Sequence, residues 1–248
     1  MAEFFAKAIN VLFLVIIMFG IGFFTGYSMQ PQAQKLAPIT EAKLSASVNI
    51  VAVTADNQGV VSQASVEIIP GSGRILLSVN PFIEPDTQDS AKTAAQVAEK
   101  YTGKSLQDKD LILTIENSQA QLVGGPSAGA AFTLATIAAI EKKQVNQNAA
   151  ITGTINSDGS IGQIGGVIEK ATAAAEKGLS LFVVPKGQRV FMIYQPQTQE
   201  IQRGNLKITR TFYVSKRIDL QEYLKEQGYS IQIAEAASIT EAAKLMLQ

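Results

Sequence analysis

Residues 128–140 (AGAAFTLATIAAI) are almost wholly apolar on every helical face. A helix of that kind has no side to turn to water and must be buried, so the chain needs a core large enough to enclose it. The stretch follows Gly124-Gly125-Pro126-Ser127, which cannot continue a regular element and reads as a tight turn. Pro126, with its fixed φ, suits the first helical turn. Ser127 is then expected at the helix N-terminus, where backbone N–H groups and the dipole favour negative charge. An oxyanion forming on a substrate carbonyl would find donors in such a place. A plain N-terminal cap of a core helix uses the same residue types.

The chain contains no histidine and no cysteine. A Ser-His-Asp triad and a thiolate nucleophile are therefore both excluded. Disulfides and cysteine-based metal sites are excluded too, and a zinc site lacks its usual ligands. Glu84, Asp86 and Asp89 are too loosely spaced to define a cation site, so no metal and no cofactor is expected. Lysines and arginines balance aspartates and glutamates at 21 each, without a basic run. Nucleic acid is accordingly not an expected partner.

For covalent hydrolysis of an acyl bond, the arrangement left is a serine activated by a lysine. Lys170 occupies the start of an alanine-rich stretch, Val167-Ile-Glu-Lys-Ala-Thr-Ala-Ala-Ala-Glu-Lys, stopped by Gly178. On a helix it shares a stripe with Gly166, Val167, Ala173 and Ala174, all small or apolar. An exposed lysine is neutral in about one molecule in a few thousand at pH 7, too rarely to serve as a base. Burial lowers that pKa by disfavouring the ammonium form, and a helix N-terminus acts in the same direction. A solvated lysine on a surface helix is the competing reading.

GGPSAG at 124–129, TGTINSDGSIGQIGGVIEKATAAAEKG at 152–178 and LFVVPK at 181–186 together resemble the proteolytic domain of the Lon protease family. The likeness extends over about residues 48–247, taking in SVEIIPGSGRILLSVN upstream. It implies a serine peptidase with Ser127 as nucleophile, Lys170 as general base and Thr152 holding the lysine amine. It also implies polypeptide substrates and a ring-shaped homo-oligomer. The chain departs from the family pattern at Gly124, where an acidic residue is usual, and at Ile168, where a lysine is usual. Leu111-Ile-Leu-Thr-Ile115 stands where the family has a histidine-bearing strand, and 191–215 is longer and more polar than in a compact Lon domain. Two other readings use the same residues: a non-catalytic, membrane-tethered binding module on this fold, and a phosphate cradle at the glycine-rich turn.

Residues 8–29 carry no charged side chain, enough apolar length to cross a bilayer. The expected organisation is a tail and single transmembrane anchor over 1–29, a linker over 30–42 and one protease domain over 43–248. The stretch MQPQAQKLAP offers no clean small-x-small site for signal cleavage, which favours an uncleaved anchor. No GxxxxGK[ST] loop occurs, so these residues hold no Lon-type ATPase signature. A protease without its own motor suits an ATP-free, extracytoplasmic compartment, and it is also compatible with a motor borrowed in trans.

The fold class is α+β, with mixed sheets and packed helices. Strands are expected over 48–54, 60–69, 74–79, 111–116, 149–155 and 181–184, with hairpin turns at Asn57-Gln-Gly and Pro70-Gly-Ser-Gly. Helices are expected over 89–101, 127–142, 167–177, 220–226 and 239–247. Tyr194-Gln-Pro-Gln-Thr-Gln reads as a loop, followed by a β-ribbon from Leu206 to Val214.

Overall fold

Alternating burial along the first long strands shows why a sheet forms with both faces covered. In β1 (Leu44–Val53), Val48 and Ile50 enter one apolar core while Val51 enters another. In β2 (Gly59–Pro70), Ala64, Val66 and Ile68 face the first core and Val61 the second. The computed structural model describes Met18 and residues 44–79, 82–83, 85–116, 122–123, 125–204 and 206–248. Those from 44 onward fall in one unit, Ala42–Gln248. The anchor expected over 8–29 lies outside the described residues, apart from Met18. Among the described residues no helix is long and apolar enough to cross a membrane.

Further strands are β3 (Ile75–Val79), β4 (Phe82–Ile83), β5 (Lys109–Glu116), β6 (Leu122–Val123), β7 (Ala149–Ile151), β8 (Thr154–Ile155), β9 (Ile161–Gly162), β10 (Leu181–Pro185), β11 (Val190–Arg203), β12 (Leu206–Asp219) and β13 (Gln232–Ala236). The main sheet has seven strands in the order β13-β10-β7-β1-β2-β5-β3. Only β2 runs against the others. Helices α1 (Pro85–Thr102), α2 (Gly129–Glu141) and α5 (Ile239–Met246) contribute to the first core; α3 (Val167–Glu176) and α4 (Leu220–Glu226) contribute to the second. The expected mixture of sheet and packed helices is present, in a layered arrangement with a mostly parallel sheet.

The apolar stretch forms α2, and every residue from Gly129 to Ile140 is buried. It packs between the sheet, α1 and α5. Its two hydroxyls are satisfied within the helix: Thr133 donates to the Gly129 carbonyl and Thr136 to that of Phe132. Gly129 is required by close approach, since a Cβ there would lie 2.5 Å from Ser90 Oγ and 2.7 Å from a methyl of Ile155.

Three sequence expectations need correction. The turn at Asn57 does close a hairpin between β1 and β2, but Pro70-Gly-Ser-Gly does not close one between β2 and β3. It wraps the start of β5, so β3 pairs parallel to β5 on the far side from β2. Buried Asp110 organises that turn: its carboxylate accepts the backbone N–H of Ser72 at 2.8 Å and of Arg74 at 3.0 Å, and the Arg74 Nε–H at 2.9 Å. The Arg74 guanidinium and these amides hold the Asp110 carboxyl below the usual carboxylate range. Helix α1 begins at Pro85 rather than at 89, because a proline without an N–H suits the first helical turn. Finally, 194–199 is strand, not loop: β11 and β12 pair over 14 residues each, with Pro196 opposite Tyr213. A two-stranded ribbon has outer edges, and an edge strand tolerates a proline that a central strand would not.

Candidate active site

Ser127, Thr152 and Lys170 come from three different parts of the fold. Ser127 lies in a 3₁₀ turn, Pro126–Ala128, just before α2, rather than in α2 itself as the sequence suggested. Thr152 is the residue after β7, and its backbone N–H donates to the Val183 carbonyl of β10 at 3.1 Å. Lys170 is in the first turns of α3, on the opposite face of the sheet from α2. The three converge beyond the carboxyl end of β7, the usual place for sites in parallel sheets.

The geometry is close. Lys170 Nζ donates to Ser127 Oγ at 3.2 Å and to Thr152 Oγ1 at 3.5 Å. Thr152 Oγ1 in turn lies 3.5 Å from the Ser127 carbonyl, to which it donates. Lys170 is only 5% exposed and Thr152 is fully buried, while Ser127 is half-buried. Burial pushes the Lys170 ammonium down to about 8. Around Lys170 the helix supplies alanines, with Ala171, Ala173 and Ala174 in the second core. The stripe of small residues is thus what lets a lysine sit inside.

Backbone hydrogen bonds fasten the Ser127 turn to the segment that carries Thr152. Gly153 N–H donates to the Ser127 carbonyl at 3.0 Å, and the Gly153 carbonyl accepts from Ala130 N–H at 3.0 Å. Gly153 has φ of 152°, and a Cβ there would collide with the Ile161 side chain. The Gly129 N–H bonds to the Pro126 carbonyl. The amides of Gly129 and Ala130 are therefore engaged by protein carbonyls, and the α2 start is not the open array of donors that the sequence suggested.

Two residues that sequence reasoning passed over support the turn from α1. Thr87 Oγ1 donates to the Gly125 carbonyl at 3.3 Å, and Ser90 Oγ to the Pro126 carbonyl at 3.2 Å. Both are buried on the face of α1 that also carries Ala91 and Ala94. The signal was present: two hydroxyls at helical spacing on an otherwise apolar stripe need buried acceptors.

A buried lysine amine within hydrogen-bond reach of a serine hydroxyl is the arrangement that a lysine-activated nucleophile requires. Residues 65–218, more than half of the chain, match the family model of the Lon protease (S16) C-terminal proteolytic domain, and the chain belongs to that family. An archaeal Lon protease of Archaeoglobus fulgidus is 28% identical over 60% of this chain and 24% of its own length. A Lon protease of Mesomycoplasma hyopneumoniae is 30% identical over 56% of this chain and 16% of its own length. An archaeal Lon protease of Halobacterium salinarum is 24% identical over 70% and 24% respectively. The match thus spans about a quarter or less of these relatives.

Proposed function

We propose that this chain is a membrane-anchored serine endopeptidase that cuts unfolded or membrane-proximal polypeptides with a Ser127–Lys170 dyad. The observation that carries the reading is the 3.2 Å separation of Lys170 Nζ and Ser127 Oγ with the lysine almost fully buried. With a pKa near 8, the amine is neutral in about one molecule in ten at pH 7. In that form it takes the Ser127 proton as Oγ attacks the scissile carbonyl. The resulting ammonium returns the proton to the leaving amine as the tetrahedral intermediate collapses to an acyl-enzyme. Water, deprotonated by the same amine, then releases the acyl group and regenerates the serine. Thr152 orients Nζ through its hydroxyl.

Nothing in this cycle draws on ATP, and the 248 residues contain no GxxxxGK[ST] loop. The uncharged segment 8–29 supports a bilayer tether, the missing ATPase signature favours the extracytoplasmic side, and membership of the family supports assembly into a homo-oligomeric ring. A fluorophosphonate probe tests the nucleophile. Covalent labelling of the unaltered chain, lost in Ser127→Ala, is the expected result. Labelling that persists in a folded Ser127→Ala protein would sink the assignment.

A further inference from the structure

The β11–β12 ribbon takes no part in the chemistry above. Its two 14-residue strands pair with each other and with no other strand among the described residues. Both outer main-chain edges are therefore left without a strand partner, a feature that proteins normally suppress unless it is used. Residues paired across the ribbon share a face. One face begins at Phe191, which packs against the second core, and its buried partner Ile218, and continues outward through Ile193, Val214, Phe212, Ile201 and Ile208. At the outer end Phe212, Ile201 and Ile208 are 39–43% exposed. Arg210 and Lys216 stand on the same face. Five cationic residues and two acidic ones lie in 190–219, so the ribbon is positive within a chain of zero net charge.

The root of the ribbon is tied to the loops that carry the dyad. It leaves β10, whose Val183 carbonyl holds the Thr152 amide. The side chain of Gln188 pairs both ways with the backbone of Ile164, just before the glycines that lead into α3 and Lys170. Glu235 accepts from the Gly187 and Arg189 amides and closes the root from the other side. Main-chain edges of this length bind extended chains irrespective of sequence, while the apolar face and its cations select for side chains.

We propose that the ribbon is a docking arm for an extended, unfolded polypeptide substrate rich in apolar and acidic residues, which adds as a strand to an outer edge and reaches the dyad at the ribbon's root. The inference rests on the peptidase reading. Its test replaces 196–213 in the full chain by Asn-Gly, a two-residue turn that closes the paired Gln195 and Val214. The double variant Ile208→Ser/Phe212→Ser, at exposed positions, probes the same face without shortening the arm. Substrates are a chromogenic tetrapeptide and two unfolded peptides of equal apolar content, one glutamate-rich and one lysine-rich, each of about 30 residues. The expected result is tetrapeptide kcat/KM within about twofold of the unaltered chain, with KM for the glutamate-rich peptide raised about tenfold in both variants. The preference over the lysine-rich peptide is expected to shrink in the shortened variant, which loses Arg203, Lys207 and Arg210, and to persist in the double variant, which keeps them. Equal losses on all three substrates, or no change in KM, would overturn the proposal. A fall in sedimentation coefficient on shortening would assign the arm to a second copy of the chain. Arm-dependent flotation with phosphatidylglycerol vesicles at unchanged KM would assign it to the bilayer; either result overturns substrate docking. If the unaltered chain fails to cleave the tetrapeptide, the peptidase reading falls, and anisotropy of the labelled glutamate-rich peptide still decides docking. Binding lost on shortening supports the arm, and binding retained overturns it.

Discussion

Lys170 is costly to the fold and, in the proposed mechanism, useful to the chemistry for the same reason. Enclosed by the alanines of α3, its ammonium form loses hydration, and the amine becomes available near neutrality. The sign of the pH dependence follows. Only the neutral amine accepts the serine proton, so kcat/KM rises with pH through about 8 and levels above it. Rates measured on a short peptide, with chemistry shown to be limiting, check this; a flat profile from about pH 5 to 10 contradicts it. Lys170→Arg is expected to abolish turnover in a folded protein, because a guanidinium stays protonated. Thr152→Val removes one oxygen that faces Nζ and is expected to alter the profile while leaving Ser127 in place.

Among the elements, α1 supports the turn that carries Ser127, the proposed nucleophile. Thr87 and Ser90 reach the carbonyls of Gly125 and Pro126, the two residues that precede Ser127. Thr87→Val/Ser90→Ala leaves two acceptors less well satisfied, at a cost of about 1 kcal/mol each. Because misplacing a nucleophile is more expensive than that, kcat is expected to fall at least about tenfold with KM for a short peptide little changed. Steady-state kinetics beside a thermal melt separate the two effects. A second element-scale device is the Asp110 clamp on the turn between β2 and β3. Its carboxyl is depressed, so the clamp contributes stability above the ordinary carboxylate pKa and loses it as pH falls through the lower folded value. Asp110→Asn is expected to lower Tm at neutral pH, with the gap to the unaltered protein narrowing as the pH falls below about 4. A gap that stays constant into strong acid would show that charge is not what the clamp uses.

Across the whole molecule, the proposed activity is one on chains that are already unfolded. A native domain stable by about 8 kcal/mol opens roughly once in a million molecules, so unaided digestion of it is slow. The purified chain in detergent is expected to degrade a casein-like substrate without ATP and to leave a tightly folded domain intact, with or without ATP. Digestion of the folded substrate that depends on ATP would reveal a motor acting with this domain.

Features with a short physical range are legible in the residues themselves. Gly124-Gly-Pro imposes a turn by its backbone chemistry, 128–140 is apolar on every side and so must be a core helix, and the small residues around Lys170 leave room to bury it. The absence of histidine and cysteine narrows the covalent nucleophiles to hydroxyls, which makes a serine beside a lysine the arrangement to look for. Pairing, by contrast, depends on which edge is open when a strand arrives. The turn at Pro70 looks the same whether β3 joins β2 or β5, and it is held around β5 by Asp110, 36 residues after Arg74, and by the Asp108 and Lys109 carbonyls, which accept from the Gly71 and Gly73 amides. The roles of Thr87 and Ser90 needed the same long-range closure, since their acceptors lie 36 to 38 residues away. The strand nature of 194–199 was hidden by a proline and three glutamines that are poor signals until a partner strand is aligned opposite them. Above all, the depressed pKa of Lys170 belongs to no local motif: it exists because α3 on one face of the sheet and the 3₁₀ turn on the other meet at the end of β7, where the lysine is buried.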